Sequence, residues 1–152
     1  MGNIKSKLRK KSLNNTPKHI FDGNKYYCKV IDVYDGDTIT IALNLNGKQI
    51  YQYKVRMYGY DSPEMKPRKN IKNRDIIIQN AKIAKNELKR LILHKIVVIK
   101  IEKGTWDKYG RLLGTIYMKQ GGLTIKSYTF NVNQYMIENN YGYPYFGGTK
   151  KI

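Results

Sequence analysis

Between Arg56 and Glu64 the chain reads RMYGYDSPE, placing one guanidinium, two carboxylates and a Ser-Pro step within nine residues of a protein that is otherwise strongly basic. Two further stretches carry groups of the same kind. DGDT (35–38) contributes Asp37, and DKYGR (107–111) contributes Arg111 after a glycine. Asp37, Asp61, Glu64 and Arg111 all fall at predicted strand ends, where a rigid scaffold presents functional side chains. Two carboxylates and a backbone carbonyl make an all-oxygen nest that suits Ca2+ or Mg2+ rather than zinc. Pro63 keeps Ser62 out of the helical region and so leaves the Ser62 carbonyl to face a cation. An ion between the acids explains why they sit close together. Two arginines aimed at the same place form bidentate hydrogen bonds to a phosphate and stabilise the charge that develops when it is attacked.

The elements that must position these groups are mostly strands. KYYCKVIDVYDGDTITIAL is rich in β-branched and aromatic residues and is broken at Asp35-Gly36, a dipeptide that favours a tight hairpin. A second turn at Asn46-Gly47 leads into KQIYQYKVRMYGY, where Tyr53, Val55 and Met57 alternate with Lys54, Arg56 and Tyr58. The alternation points Arg56 away from the buried face, so the guanidinium is presented rather than packed. From Asp75 to Leu93 the period changes to that of an amphipathic helix, with Ile78, Ala81, Ala84, Leu88, Leu91 and Ile92 on one side. KIVVIKIE (95–102), RLLGTIYM (111–118) and LTIKSY (123–128) read as further strands, and Asn131 or Asn133 caps a short last helix. The order of strands, helix, strands, helix predicts an α+β, mainly β fold: a small closed barrel with packed helices.

Composition bounds the rest. With 152 residues the chain forms one domain, read as 21–152 behind a mobile basic leader, 1–20. Its 29 Lys and Arg against 11 Asp and Glu give a net charge of +18, a field that attracts polyanions such as nucleic acid or anionic lipid. Cys28 is the only cysteine, which excludes an internal disulfide and a cysteine-rich zinc site. No stretch approaches the ~20 apolar residues that span a bilayer, and no secretory signal is evident, so an intracellular protein is expected; no obligate protein partner is evident either, and a monomer is expected. MGNIKS at the N-terminus matches the pattern for N-myristoylation at Gly2, and the basic KLRKKS that follows is the second signal that one acyl chain needs for membrane attachment. His19 and His94 have no motif around them.

Taken together, DGDT, VRMYGYDSPE (55–64) and DKYGR resemble the three signature segments of the staphylococcal nuclease (thermonuclease) family, and the resemblance runs from about Tyr26 to about Asn140. It implies a five-stranded OB-fold barrel with packed helices that hydrolyses phosphodiester bonds in DNA and RNA with Ca2+, leaving a 3′-phosphate and preferring single strands. By position it implies that Asp37 and Asp61 are carboxylate ligands of Ca2+, with the Ser62 carbonyl as a third. Glu64 is implied to activate water, and Arg56 and Arg111 to hold the phosphate. Lys108 and Tyr109 match positions that line the nucleotide pocket, and Tyr143 and Tyr145 resemble the paired tyrosines that contact the nucleotide. Two departures stand out. The segment from Asn44 to Gln52 makes a longer hairpin tip, which either reaches over the substrate or extends into solvent. The chain also ends soon after its Tyr-rich tail, so the tail or the leader is expected to cover the barrel's end.

Two other classes remain compatible with the residues. One is a non-catalytic OB-fold module that binds single-stranded nucleic acid through a positive groove. The other is a myristoylated polybasic membrane adaptor that uses the fold as a scaffold. Most of the 14 tyrosines are expected in barrel packing, with a minority left for base stacking.

Overall fold

The computed structural model describes residues 3–18 and 21–147; Gly2 and His19 lie outside these described residues. Five strands make the barrel: β1 (Lys25–Val33), β2 (Thr38–Leu43), β3 (Tyr51–Met57), β5 (Ile96–Trp106) and β6 (Leu112–Lys119). They run in the order β3-β2-β1-β5-β6 through antiparallel ladders. A parallel pairing of β3 with β6, Val55 opposite Leu112 and Met57 opposite Gly114, closes the ring. The expected closed five-stranded OB-type barrel is therefore present. β7 (Tyr128–Asn131) extends the sheet beyond β6, while β4 (Tyr60–Asp61) pairs with β8 (Tyr143–Pro144) apart from it.

Alternation decides what faces inward. Along β1 the even positions Cys28 and Val30 are buried and the odd positions Lys25, Tyr27 and Lys29 are exposed, as a two-residue period requires. Val30, Ile39, Ile41, Val55, Met57, Ile99, Ile101, Leu112 and Ile116 fill the interior with no exposed surface. Burying each such side chain contributes roughly 1.5–3 kcal/mol. Helix α2 (Arg74–Ile92) adds Ala84, Leu88 and Ile92 to that core, and α3 (Val132–Glu138) adds Val132 and Met136. Of the two candidate caps for α3, Asn131 is the one used, its Oδ1 accepting from the Gln134 amide at 2.9 Å. Asn133 is buried instead. Its Nδ2 donates to the carbonyls of Tyr58 (2.8 Å) and Gly114 (3.0 Å), while its Oδ1 accepts from the Ile116 amide at 3.0 Å.

Two expectations change and a third narrows to one of its alternatives. The leader contains a helix, α1 (Ile4–Arg9), because the Asn3 side chain caps it by accepting from the Lys5 amide; none of its residues is buried. The segment 123–128 is not a strand: its middle forms a 3-10 turn at Ile125–Ser127, and β7 starts only at Tyr128. Of tail and leader it is the tail that packs on the fold, since β8 pairs with β4 and the Tyr145 amide donates to Gly59 O at 2.9 Å. Gly142 makes this approach possible, because a Cβ there would stand 2.6 Å from the Tyr60 ring. The long hairpin tip, held by Asn46 Oδ1 accepting from the Lys48 amide, takes no part in lining the cleft described next; Leu45 packs against the core and the residues from Asn46 to Ile50 are exposed.

Candidate active site

The turn between β1 and β2 is built around Asp35 and Gly36. Asp35 Oδ1 accepts from the Asp37 amide at 3.0 Å, an Asx-type turn, and the Tyr34 amide donates to Thr38 O at 2.9 Å. Gly36 is required by a close approach: a Cβ there would lie 2.6 Å from Ser62 Cβ and 2.9 Å from Ala84 Cβ on α2. The fully buried Tyr60 hydroxyl donates to Gly36 O at 2.7 Å and ties the turn to β4. This docking places Asp37 against the DSPE segment. Asp37 Oδ2 accepts from the Ser62 amide (2.9 Å) and hydroxyl (3.1 Å), and Oδ1 accepts from the Thr38 hydroxyl at 3.0 Å.

Arg56 differs from its expectation. It is half-buried, not simply presented: Nη1 donates to the carbonyls of Met57 (2.9 Å) and Tyr60 (2.8 Å), while Nη2 pairs with Asp61 and lies 3.5 Å from Asp37 Oδ2. Strand alternation turns Arg56 off the core face, but the β3–β4 turn then folds its own carbonyls and the Asp61 carboxylate back over it. The cation joining the two acids in this structure is thus the guanidinium of Arg56. Asp61 is fully buried and Asp37 is 8 % exposed.

Electrostatics separates the acids. Burial, and then the neighbouring Asp37 charge, push the Asp35 carboxyl up to about 6. Burial also opposes ionisation of Asp37, but the Arg56 charge and the hydrogen bonds from Asp35, Ser62 and Thr38 outweigh it and hold that carboxyl below its ordinary value. Burial raises the Tyr60 phenol, with Asp37 adding to the shift.

Across the cleft, Asp107 organises the DKYGR loop. It accepts from the amides of Tyr109 and Arg111, both at 2.9 Å, and from Arg111 Nε at 2.6 Å. Burial acts to raise the Asp107 carboxyl, yet the Arg111 and Tyr109 hydrogen bonds hold it below the usual range. So clamped, Arg111 reaches Thr38 Oγ1 at 3.3 Å, with its guanidinium carbon 5.4 Å from the Tyr109 ring centre; Lys108 Nζ lies 5.2 Å from the same ring.

Asp37, Arg56, Asp61, Ser62, Glu64, Lys108, Tyr109, Arg111 and Tyr145 all line one open cleft of about 980 Å³. Glu64 is exposed at its edge. Tyr143 is not in the lining; it sits in β8, paired with Asp61. Gly2 lies outside the described residues. Asp35, Asp107, Lys85 of α2 and Phe146 also line the cleft, although the sequence reading gives them no role in it. The two acids had a signal, since each stands in a motif beside a residue singled out from it, but Lys85 and Phe146 reach the cleft only through the packing of α2 and the tail. Among the described residues no three His, Cys, Asp or Glu side chains are grouped so that they form a metal cage by themselves. Asp37 and Asp61 nonetheless set two carboxylates against one guanidinium, with only oxygen atoms to offer a cation.

A five-stranded barrel with this cleft at its rim is a staphylococcal-nuclease-like OB-fold. Comparison with known proteins agrees. The profile of the staphylococcal nuclease homologue family matches residues 54–149, and the chain belongs to that family. It is 32% identical over 97 residues to a thermonuclease of Staphylococcus hyicus, covering 64% of this chain and 52% of the relative. It is 29% identical over 145 residues to an uncharacterised protein of Methanocaldococcus jannaschii, covering 87% of this chain and 64% of that one. The chain thus spans about half to two thirds of the length of these relatives. The family match begins at Lys54, so Arg56, Asp61, Glu64 and the DKYGR loop fall inside it and the Asp35–Asp37 turn does not.

Proposed function

We propose that this protein is a Ca2+-dependent nuclease that hydrolyses phosphodiester bonds in DNA and RNA, with little sequence specificity, a preference for single strands and products ending in a 3′-phosphate. The observation that carries this reading is the convergence of Asp37, Arg56, Asp61, Glu64 and Arg111, from separate stretches of chain, on one open cleft. Asp37 and Asp61, with the Ser62 carbonyl, are the residues that would hold Ca2+, because a hard cation takes oxygen donors and the surplus of carboxyl groups there favours positive charge. Held there, the ion would supply charge neutralisation for the phosphate under attack.

The chain's own groups do the remaining work. Glu64, at the cleft edge, orients an attacking water and accepts its proton. Arg111, held by Asp107 and Thr38, offers its guanidinium to the phosphate, where charge-assisted bonds strengthen as the transition state gains charge. Arg56 adds positive charge to the cleft floor and fixes Asp37 and Asp61 relative to each other. Lys108, Tyr109 and Tyr145 make the wall for the nucleotide. A groove of this kind contacts backbone and one or two bases, which explains the weak sequence preference. The test is incubation of plasmid and single-stranded DNA with the protein in Ca2+ or in chelator. Metal-dependent cleavage is expected, and binding without cleavage in Ca2+ favours the non-catalytic OB-fold module instead.

One observation favours a second reading, about where the chain works. On α1, Ile4 and Leu8 are 64% and 61% exposed one turn apart, beside Lys5, Lys7 and Arg9. An apolar seam flanked by bases suits an anionic membrane surface, and together with acylation at Gly2 it would hold the nuclease on the cytoplasmic face. Liposome flotation of acylated protein is expected to fall on Gly2→Ala; equal flotation removes the anchor.

A further inference from the structure

The barrel carries a second surface whose chemistry the cleft does not use. On the outward faces of β1, β5, β6 and β7, the ladders set residues in rows. Tyr27 stands opposite Val98, Val98 opposite Tyr117, and Tyr117 opposite Asn131. On one side of this aromatic row lies Lys25 opposite Lys100, and on the other Lys29 opposite Ile96. Successive rows are two residues, roughly 7 Å, apart along the strands. Val98 is fully buried on this outward face, between two tyrosines, whereas Tyr27 is 48% and Ile96 56% exposed. The rings are fixed in place: Tyr27 meets Tyr128 edge-on at 5.4 Å, and Lys25 Nζ lies 5.1 Å from the Tyr117 ring centre. Glu102, beside the platform, is already occupied, accepting from Thr115 Oγ1 at 2.6 Å with Lys100 Nζ 4.0 Å away.

This surface is continuous with the cleft. Tyr58 and Phe146, in edge-on contact at 5.6 Å, line both the cleft and a smaller hollow of about 210 Å³ whose far wall includes Tyr117 and Asn131. We propose that a single-stranded nucleic acid held in the cleft continues over the Tyr58–Phe146 rim and onto the Lys25–Tyr27–Tyr117 platform. The flanking lysines take its phosphates and the tyrosines stack its bases. Polyanion charge and sequence-tolerant stacking select this occupant, since the exposed Tyr27 ring and the half-buried Tyr117 ring, flanked by Lys25 and Lys100 on one side and Lys29 on the other, match a strand with one phosphate and one base per nucleotide. The inference rests on the nucleic-acid reading of the cleft and adds a dependence on strand length to it.

The experiment measures binding of labelled tetranucleotide and 16-nucleotide DNA by fluorescence anisotropy, in chelator, with the full chain, Tyr27→Ala and the double variant Lys25→Glu/Lys29→Glu. Melting curves check that each variant folds. The parent is expected to bind the 16-mer at least about tenfold more tightly than the tetranucleotide. Both variants should lose most of that advantage, about tenfold, while changing tetranucleotide affinity by less than about twofold. The lysine variant should also flatten the salt dependence of 16-mer binding, by roughly 0.7 in log–log slope for each phosphate that is no longer neutralised. Unchanged 16-mer affinity in both variants overturns the platform and leaves the cleft reading intact. Equal weakening for both lengths also overturns it, because the change then acts through the cleft. No binding of the 16-mer by the parent removes the platform, whereas absence of metal-dependent cleavage alone removes only the nuclease reading.

Discussion

Glu64 and Asp107 carry the sharpest tests at the level of single residues. Glu64 is exposed at the cleft edge, so Glu64→Gln keeps the fold and oligonucleotide binding but is expected to lose about 10²–10⁴ in turnover, the usual worth of a general base. Near-parental rates in a single-turnover assay would show that another group activates the water. Asp107 touches no substrate in this reading; it aims Arg111 by accepting from its amide and its Nε. Asp107→Asn keeps the shape but weakens the clamp, and the displaced guanidinium should lower kcat by about tenfold or more with a smaller change in KM. A change confined to KM contradicts the positioning role. Asp37, Arg56, Asp61 and Glu64 were legible because a guanidinium and several acids in a basic chain have few structural reasons to cluster. The engagement of Arg56 by Met57 O, Tyr60 O and both acids was not, since strand alternation tells which face a side chain leaves from and not what folds back over it.

The elements most sensitive to change are the β1–β2 turn and the junction of α3 with the barrel. Gly36→Ala inserts a methyl 2.6 Å from Ser62 Cβ and 2.9 Å from Ala84 Cβ. It should destabilise by about 1–3 kcal/mol, as overpacking does, and also depress turnover by moving Asp37 off Ser62. A thermal melt and a cleavage assay on one sample check both, and a drop in stability with full activity separates the turn from the site. Asn133→Ala strips the partners from the Tyr58 and Gly114 carbonyls and the Ile116 amide, for an expected loss of about 1–3 kcal/mol with cleft chemistry retained at low temperature. The strands and α2 were readable from their two- and 3.6-residue periods. The choice between Asn131 and Asn133 as cap was not, because both residues are of a type that suits an N-cap and only the packing of α3 on β6 takes one of them inside.

Over the whole molecule the field of +18 acts on every approaching polyanion, and cleavage of long strands in the proposed reaction should weaken steeply with added salt. The closed barrel also shields its one thiol. Burial pushes Cys28 up to about 12, so the group stays protonated in the folded state while an unfolded thiol ionises near 9. The stability this contributes is therefore present below pH 9 and is lost as pH rises toward 12. A thiol reagent at pH 8 should leave Cys28 unmodified until denaturant is added, and rapid labelling of the folded protein would contradict the burial. By itself the sequence determined the principal strands, the main helix, the positive field and the residues of the three motifs, because periodicity, turn chemistry and charge are local or additive properties. Ring closure by β3 with β6, the strapping of β4 by the tail, the burial of Arg56 between Asp37 and Asp61, and the platform running on from the cleft were decided only by tertiary structure. Each depends on which segments distant in the chain come within hydrogen-bonding reach, and no local pattern encodes that.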